Sequence, residues 1–146
     1  KRVYPDLVAS TVHLMTILRI EYSLTDFATV AYKLVILIEK SVEPAVLDQH
    51  WPEFLHNAEQ MPGLLRETTS HIDVHLYGNA EYQLQHELFF NSPEEASQAM
   101  ASEAGRTAGR ILQQLSGGQL VLFFADHRED DLENIRKHRQ SQTSTE

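Results

Sequence analysis

The chain has 146 residues, the length of one ordinary domain and enough to bury a core without covalent staples. It has no cysteine, which removes disulfides, thiolate metal sites and a cysteine nucleophile and fits a reducing, cytoplasmic setting. With 21 acidic against 12 basic residues, the net charge of -9 opposes a nucleic-acid or anionic membrane partner, and neither is expected.

The first 30 residues differ from the rest. Pro5-Asp6 could open a helix running to about Tyr22, with Leu7, Leu14, Ile17 and Leu18 on one stripe. The stretch "ILRIEYSL" also reads as a strand. The opening Lys-Arg resembles a secretory leader, but Asp6 and the missing small-residue cleavage site argue against one. Residues 1–30 are therefore taken as an N-terminal extension of uncertain structure, 31–127 as the domain, and 128–146 as a charged helix and tail.

From Ala31 the pattern sharpens. "AYKLVILIE" is a short apolar run rich in β-branched residues and predicts a strand. Pro44 suits a first helical turn, and Leu47, Trp51, Phe54, Leu55 and Ala58 recur at helical spacing to about Gln60. Pro52 lies inside that pattern and predicts a kink or split near His50-Trp51. "MPG" ends the helix. "LLRETTSHIDVHLY" and "YQLQHELFF" predict a hairpin with "GNAE" as its loop.

Ser92, Pro93 and Glu95 form a helix-start signature. One helix is expected from there, its buried stripe running through Ala96, Met100, Ala104, Ala108, Ile111, Leu112 and Leu115 until "SGG" stops it. "QLVLFFA" is the last strand. "DHREDDLENIRKHRQ" then predicts a short exposed helix with an acidic start and a basic end.

The order from Ala31 is β-α-β-β-α-β, a ferredoxin-like α+β arrangement with a four-stranded antiparallel sheet and two helices on one face. Along the first strand, Lys33, Val35, Leu37 and Glu39 point one way and Tyr32, Leu34, Ile36 and Ile38 the other. The last strand is apolar on both faces. Leaving the second face in water would expose a large patch, so burial in a homodimer is expected.

The segments "YKLVILIEK", "MPGLLRE", "HELFFNSPEEASQAMAS" and "EAGRTAGRILQQLSGGQLVLFFAD" resemble the EthD-like family of the dimeric α+β barrel superfamily. The likeness runs from about Ala31 to His138; residues 1–30 have no counterpart. It implies two ferredoxin-like subunits with facing sheets and a small cavity between the sheets or near the helices. Relatives often carry a histidine with proline two residues later in the first helix. His50-Trp51-Pro52 has that spacing but comes early in the helix, and His56 lacks the proline.

Two places draw attention as sites. His71, Asp73 and His75 alternate along one strand, and an even-length loop puts His86 on the same face, opposite Asp73. Those four residues have the chemistry of a divalent-metal site or of an oriented base. The plainer reading makes the odd residues the wet side of an edge strand, with Ile72, Val74 and Leu76 as its core side. His50 and Trp51 flank the expected kink and could wall a cavity, and Tyr32 and Tyr82 could offer hydroxyls to it. His50 and His86 are the candidate acid–base residues; Trp51, Tyr82, Tyr32 and His75 are the candidate ligand contacts.

The expected function is binding of a small apolar or aromatic molecule at the sheet or dimer interface. Any reaction would be cofactor-free proton transfer with a histidine as acid–base, so no cofactor is expected. The alternatives are a non-catalytic pathway partner or ligand-binding protein, and a divalent-metal site on the hairpin.

Overall fold

The computed structural model describes residues 29–143. The chain divides into two compact units. One runs from Val30 to His127; the other includes, among the described residues, Thr29 and 128–143. Four strands form one antiparallel sheet in the order β2-β3-β1-β4: β1 is Thr29–Glu39, β2 Arg66–His71, β3 Tyr82–Phe90 and β4 Leu120–Glu129. Helices α1, Pro44–Ala58, α2, Pro93–Ala101, and α3, Glu103–Ser116, complete the first unit, and α4, Leu132–Thr143, follows β4. The expected ferredoxin-like α+β fold is present.

Alternation divides the sheet as the sequence implies. Leu34, Ile36 and Ile38 of β1 join Leu84, Leu88 and Phe90 of β3 on the helix side. There they meet Leu47, Phe54 and Ala58 of α1 and Ala108, Ile111, Leu112 and Leu115 of α3. At about 25 cal/mol per Å² of apolar area, removing these side chains from water is the main force holding the helices on the sheet.

Four local expectations need correction. Helix α1 runs unbroken through Pro52, because Leu47, Phe54 and Ala58 anchor it to the sheet on both sides of the lost N–H. The single helix expected after Ser92 is two helices. Ser92 Oγ accepts the Glu95 N–H at 3.2 Å as the sequence implies. Ser102 then turns to an extended backbone and starts α3, its hydroxyl accepting the Gly105 N–H at 3.1 Å. Gly105 makes this sharp junction feasible: a Cβ there would lie 2.1 Å from the Ala99 carbonyl oxygen. Gly117, at φ +59°, ends α3.

The third correction is at β4, which continues through "DHRE", residues expected in a helix. His127 there sets its ring edge-on to Phe89 of β3 at 4.9 Å, and sheet pairing outweighs the charge pattern that suggested a helix. Helix α4 begins later, with the Asp131 carboxylate accepting the N–H groups of Glu133 and Asn134.

The fourth concerns the hairpin. Strand β2 stops at His71, and residues 72–81 form a long loop rather than a four-residue turn. The register pairs Thr69 with His86 and His71 with Leu84. The odd–even parity survives, but every pairing slides by four residues. Val74, Leu76 and Tyr77 are exposed, so they are not the core side of a strand.

The sheet face away from the helices is mixed rather than uniformly apolar. The Lys33 ammonium donates to the Glu87 carboxylate, which also accepts from Thr68 Oγ1 at 3.0 Å. Phe89 lies under the Arg66 guanidinium, 3.8 Å from its ring centre. Burial pushes the Glu87 carboxyl up, but the Lys33 and Thr68 hydrogen bonds outweigh it and hold the group below the usual carboxylate range. No helix among the described residues is long and apolar enough to cross a membrane.

Candidate active site around His86

In "YQLQHELFF" the helix-facing positions are Leu84, His86, Leu88 and Phe90. One of four core-facing side chains is therefore an imidazole. His86 has no exposed surface. Two aromatic rings of α1 wall it: Trp51 meets it edge-on at 5.2 Å and Phe54 at 5.7 Å. Ile36 of β1 lies beside it in register.

Its polar partners come from β2, the neighbouring edge strand. Thr69, directly opposite, places Oγ1 2.8 Å from Nδ1. Glu67, two residues back on the same face, places a carboxylate oxygen 3.2 Å from Nε2. The pair is close enough to interact but outside hydrogen-bonding geometry, so both His86 Nε2 and Glu67 Oε2 are enclosed without a hydrogen-bond partner. An uncompensated buried polar atom is costly, and such atoms recur where chemistry needs them.

The charge states follow from the surroundings. Burial among apolar rings pushes the imidazole down to about 4, against a smaller upward pull from the Glu87 carboxylate on the opposite face of the strand. His86 is thus neutral at pH 7. Glu67 moves the other way: burial and then the neighbouring Glu59 carboxyl raise it. Glu59 follows the last turn of α1 and is exposed to water. The arrangement joins a neutral base, a carboxyl group shifted toward its acid form and an aromatic wall, which can accept, hold and return a proton.

The sequence candidates separate. His86 and Trp51 come together. His50 precedes Trp51 on α1 and is half-buried, but it is not among the groups meeting His86. Tyr32 stacks on Phe124 of β4 at 5.3 Å. Tyr82 lines a shallow polar hollow with Glu39, Ser41 and Asn79, and its N–H donates to His75 Nε2 at 3.0 Å. Asp73 and His75 sit in the loop and His71 pairs with Leu84, so the four suggested metal ligands do not converge. No group of three or more His, Asp or Glu side chains among the described residues is placed to hold a metal ion. Glu67, Thr69 and Glu59 were not singled out from the sequence. The parity of the hairpin pointed toward the first two, and only the actual register pairs Thr69 with His86.

No protein-family model matches the chain. An uncharacterised 11.0 kDa protein from the thcB–thcC intergenic region of Rhodococcus erythropolis is 30% identical over 98 residues, covering 65% of this chain and 93% of the relative. Among solved structures, an ethyl tert-butyl ether D (EthD) family protein from Bacillus halodurans aligns at a TM-score of 0.61 and 22% identity, over 66% of this chain and 98% of the other. A dimeric ferredoxin-like protein of unknown function from Thermobifida fusca aligns at 0.53 and 13% identity, over 71% and 96%. Hydroxynitrile lyase from Passiflora edulis aligns at 0.54 and 12% identity, over 70% and 96%. The chain belongs to one family with the Rhodococcus protein, and its fold is the ferredoxin-like fold of the Bacillus EthD family protein.

Proposed function

We propose that the protein is a homodimer that binds a small apolar or aromatic molecule beside Trp51 and carries out cofactor-free proton transfer on it, with His86 as the base. The observation that carries this reading is the enclosed His86 Nε2, which lacks a hydrogen-bond partner 3.2 Å from Glu67. A histidine serving only to fill the core would satisfy both ring nitrogens. The Passiflora hydroxynitrile lyase of the same fold supports an enzymatic use of this architecture.

The dimer is supported by β4, an edge strand on which Val121, Leu122, Phe123 and Phe124 are all exposed. The Thermobifida protein is described as dimeric. Alternation puts Phe123 on the same sheet face as His127 and Phe89, where a second copy would cover it.

A second reading is a non-catalytic pathway partner. One observation favours it: the apolar void between sheet and helices, lined by Leu34, Phe54, Met61, Leu88, Met100 and Leu112 among others, measures only about 20 Å³. That is room for about one water.

Trp51 is the only tryptophan in the chain, so its fluorescence reports the site directly. Titration with small neutral aromatic alcohols and ketones should give a saturable change in emission that is lost in His86→Phe. No saturable change across such a panel would favour the pathway partner. Sedimentation at micromolar concentration should show a dimer, with Phe123→Lys shifted to monomer. A monomeric parent protein would contradict the dimer.

A further inference from the structure

We propose that the groove between α3 and β4 is the mouth of the ligand site, that Gly109 keeps this mouth open, and that Met61 and Met100 give way to enlarge the void behind it. The inference rests on the reading of His86 as the centre of a small-molecule site, and adds the route to it and the residues that set ligand size.

The void between sheet and helices adjoins the neighbours of the His86 ring. Phe54 lines it and meets the imidazole edge-on at 5.7 Å. Ile36, the cross-strand partner of His86, lines it as well, and so does Leu88, on the same face of β3. At about 20 Å³ the void holds no organic molecule, so a ligand beside Trp51 needs more room and a way in.

The groove supplies the way in. It measures about 410 Å³, within the roughly 300–1,000 Å³ usual for small-molecule sites. Gly109, Leu112 and Leu122 line both groove and void, so the two hollows back onto the same side chains. A Cβ at Gly109 would meet nothing within 4 Å, so the space beside the helix there is empty. The fold demands glycine at 105, where the Ala99 carbonyl stands in the way, but no such approach demands it at 109. A glycine inside a helix costs about 1 kcal/mol relative to alanine, and an open mouth gives this one a use. Leu122 is exposed on the helix side of β4, the side on which Phe124 stacks on Tyr32. The dimer proposed above covers Phe123 on the other face and leaves this side open.

Room comes from the methionines. Met61, just after α1, and Met100, near the end of α2, both line the void. Their unbranched thioether chains repack at lower cost than the branched and aromatic groups around them. The lining also decides the ligand class. Among the described residues, no charged side chain lines either hollow, and Gln113 at the groove is the single amide. An ion would lose its hydration there with nothing to pair it. The occupant is a neutral aromatic molecule with a hydrogen-bonding group.

The test uses benzyl alcohol on the full chain, with affinity from Trp51 emission and exchange rates from the carbon-13 methyl line shapes of Met61 and Met100. Both methyl signals should shift in step with the saturable Trp51 change. Gly109→Leu, which fills the groove, should slow exchange about tenfold or more, and Leu122→Ala, which widens it, should speed exchange. A variant that merely folds badly does not produce the second effect. Equal exchange in all three proteins would overturn the route, while saturable Trp51 emission would leave the His86 ligand reading standing. Methyl signals that stay unmoved while Trp51 saturates would overturn the role of the methionines. Benzoate should bind at least about tenfold more weakly than benzyl alcohol, and equal binding would overturn the ligand class. No saturable Trp51 change across the panel of alcohols and ketones would overturn the ligand reading, and this inference with it.

Discussion

His86 should make the protein acid-sensitive in a way that can be isolated. In the folded state its imidazole titrates near 4, against 6.5 for an unperturbed histidine. Between those values the unfolded chain binds more protons than the folded one, so stability falls as pH drops through that window. At pH 4.5 the difference between the two pKa values gives a loss of about 2.5 kcal/mol relative to pH 7. His86→Phe removes the titration and keeps an aromatic ring between Trp51 and Phe54. Carboxylates away from the ring titrate in the same range but are common to both proteins and cancel in the comparison. Glu67, 3.2 Å from Nε2 and raised in the fold, works in the opposite sense, losing stability as pH rises through its titration, and Glu67→Gln in both backgrounds removes it from the comparison. Urea unfolding monitored by Trp51 emission at fixed protomer concentration would measure both. The stability gap between the parent protein and His86→Phe should change by about 2.5 kcal/mol from pH 7 to pH 4.5. Parallel stability curves would show that His86 is not held neutral by burial, and the electrostatic argument for the site would fail.

Three further outcomes follow from named contacts. Thr69→Val removes the partner of His86 Nδ1 and should cost about 1 kcal/mol of unfolding free energy while leaving the far-UV spectrum unchanged. Gly105→Ala should destabilise by about 1–3 kcal/mol, because its Cβ would strike the Ala99 and Met100 backbone. Gly109→Ala on the same helix meets nothing within 4 Å and should stabilise by about 1 kcal/mol; a similar effect at both sites would refute the close α2–α3 junction. Lys33→Met strands the Glu87 carboxylate on a mostly buried face and should cost about 2 kcal/mol at pH 7, and less at acid pH where Glu87 is protonated; pH-independent loss would contradict the ion pair.

Most of the fold was legible because its signals are local. The β-branched run of β1, the Ser92 cap and the glycines after α3 each act within a few residues of themselves. Alternation in "YQLQHELFF" put His86 on the opposite face from Glu87, but did not decide which of the two faces meets the helices. The misreadings arose where a distant contact competes with a local pattern. Pro52 lies in a helix held from both ends, Ser102 divides a continuous apolar stripe, and "DHRE" joins a sheet through His127 and Phe89.

The candidate site lay on the far side of that boundary. The sequence by itself determined the order of the four strands and the apolar face of β1, but it set His86 beside His71, Asp73 and His75 on the side read as wet, whereas the structure turns that ring into the core. It did not determine which β2 residues meet that ring, because a strand can slide by two or four residues and keep the same face buried. Only the tertiary structure decided that Thr69 and Glu67, not Asp73 and His71, stand beside His86. The reason is that β2 ends at His71, where ten loop residues take over the polar cluster that had resembled a metal site. Burial by Trp51 and Phe54, arriving from a helix remote in sequence, then set the charge of the histidine that the strand pattern had only located.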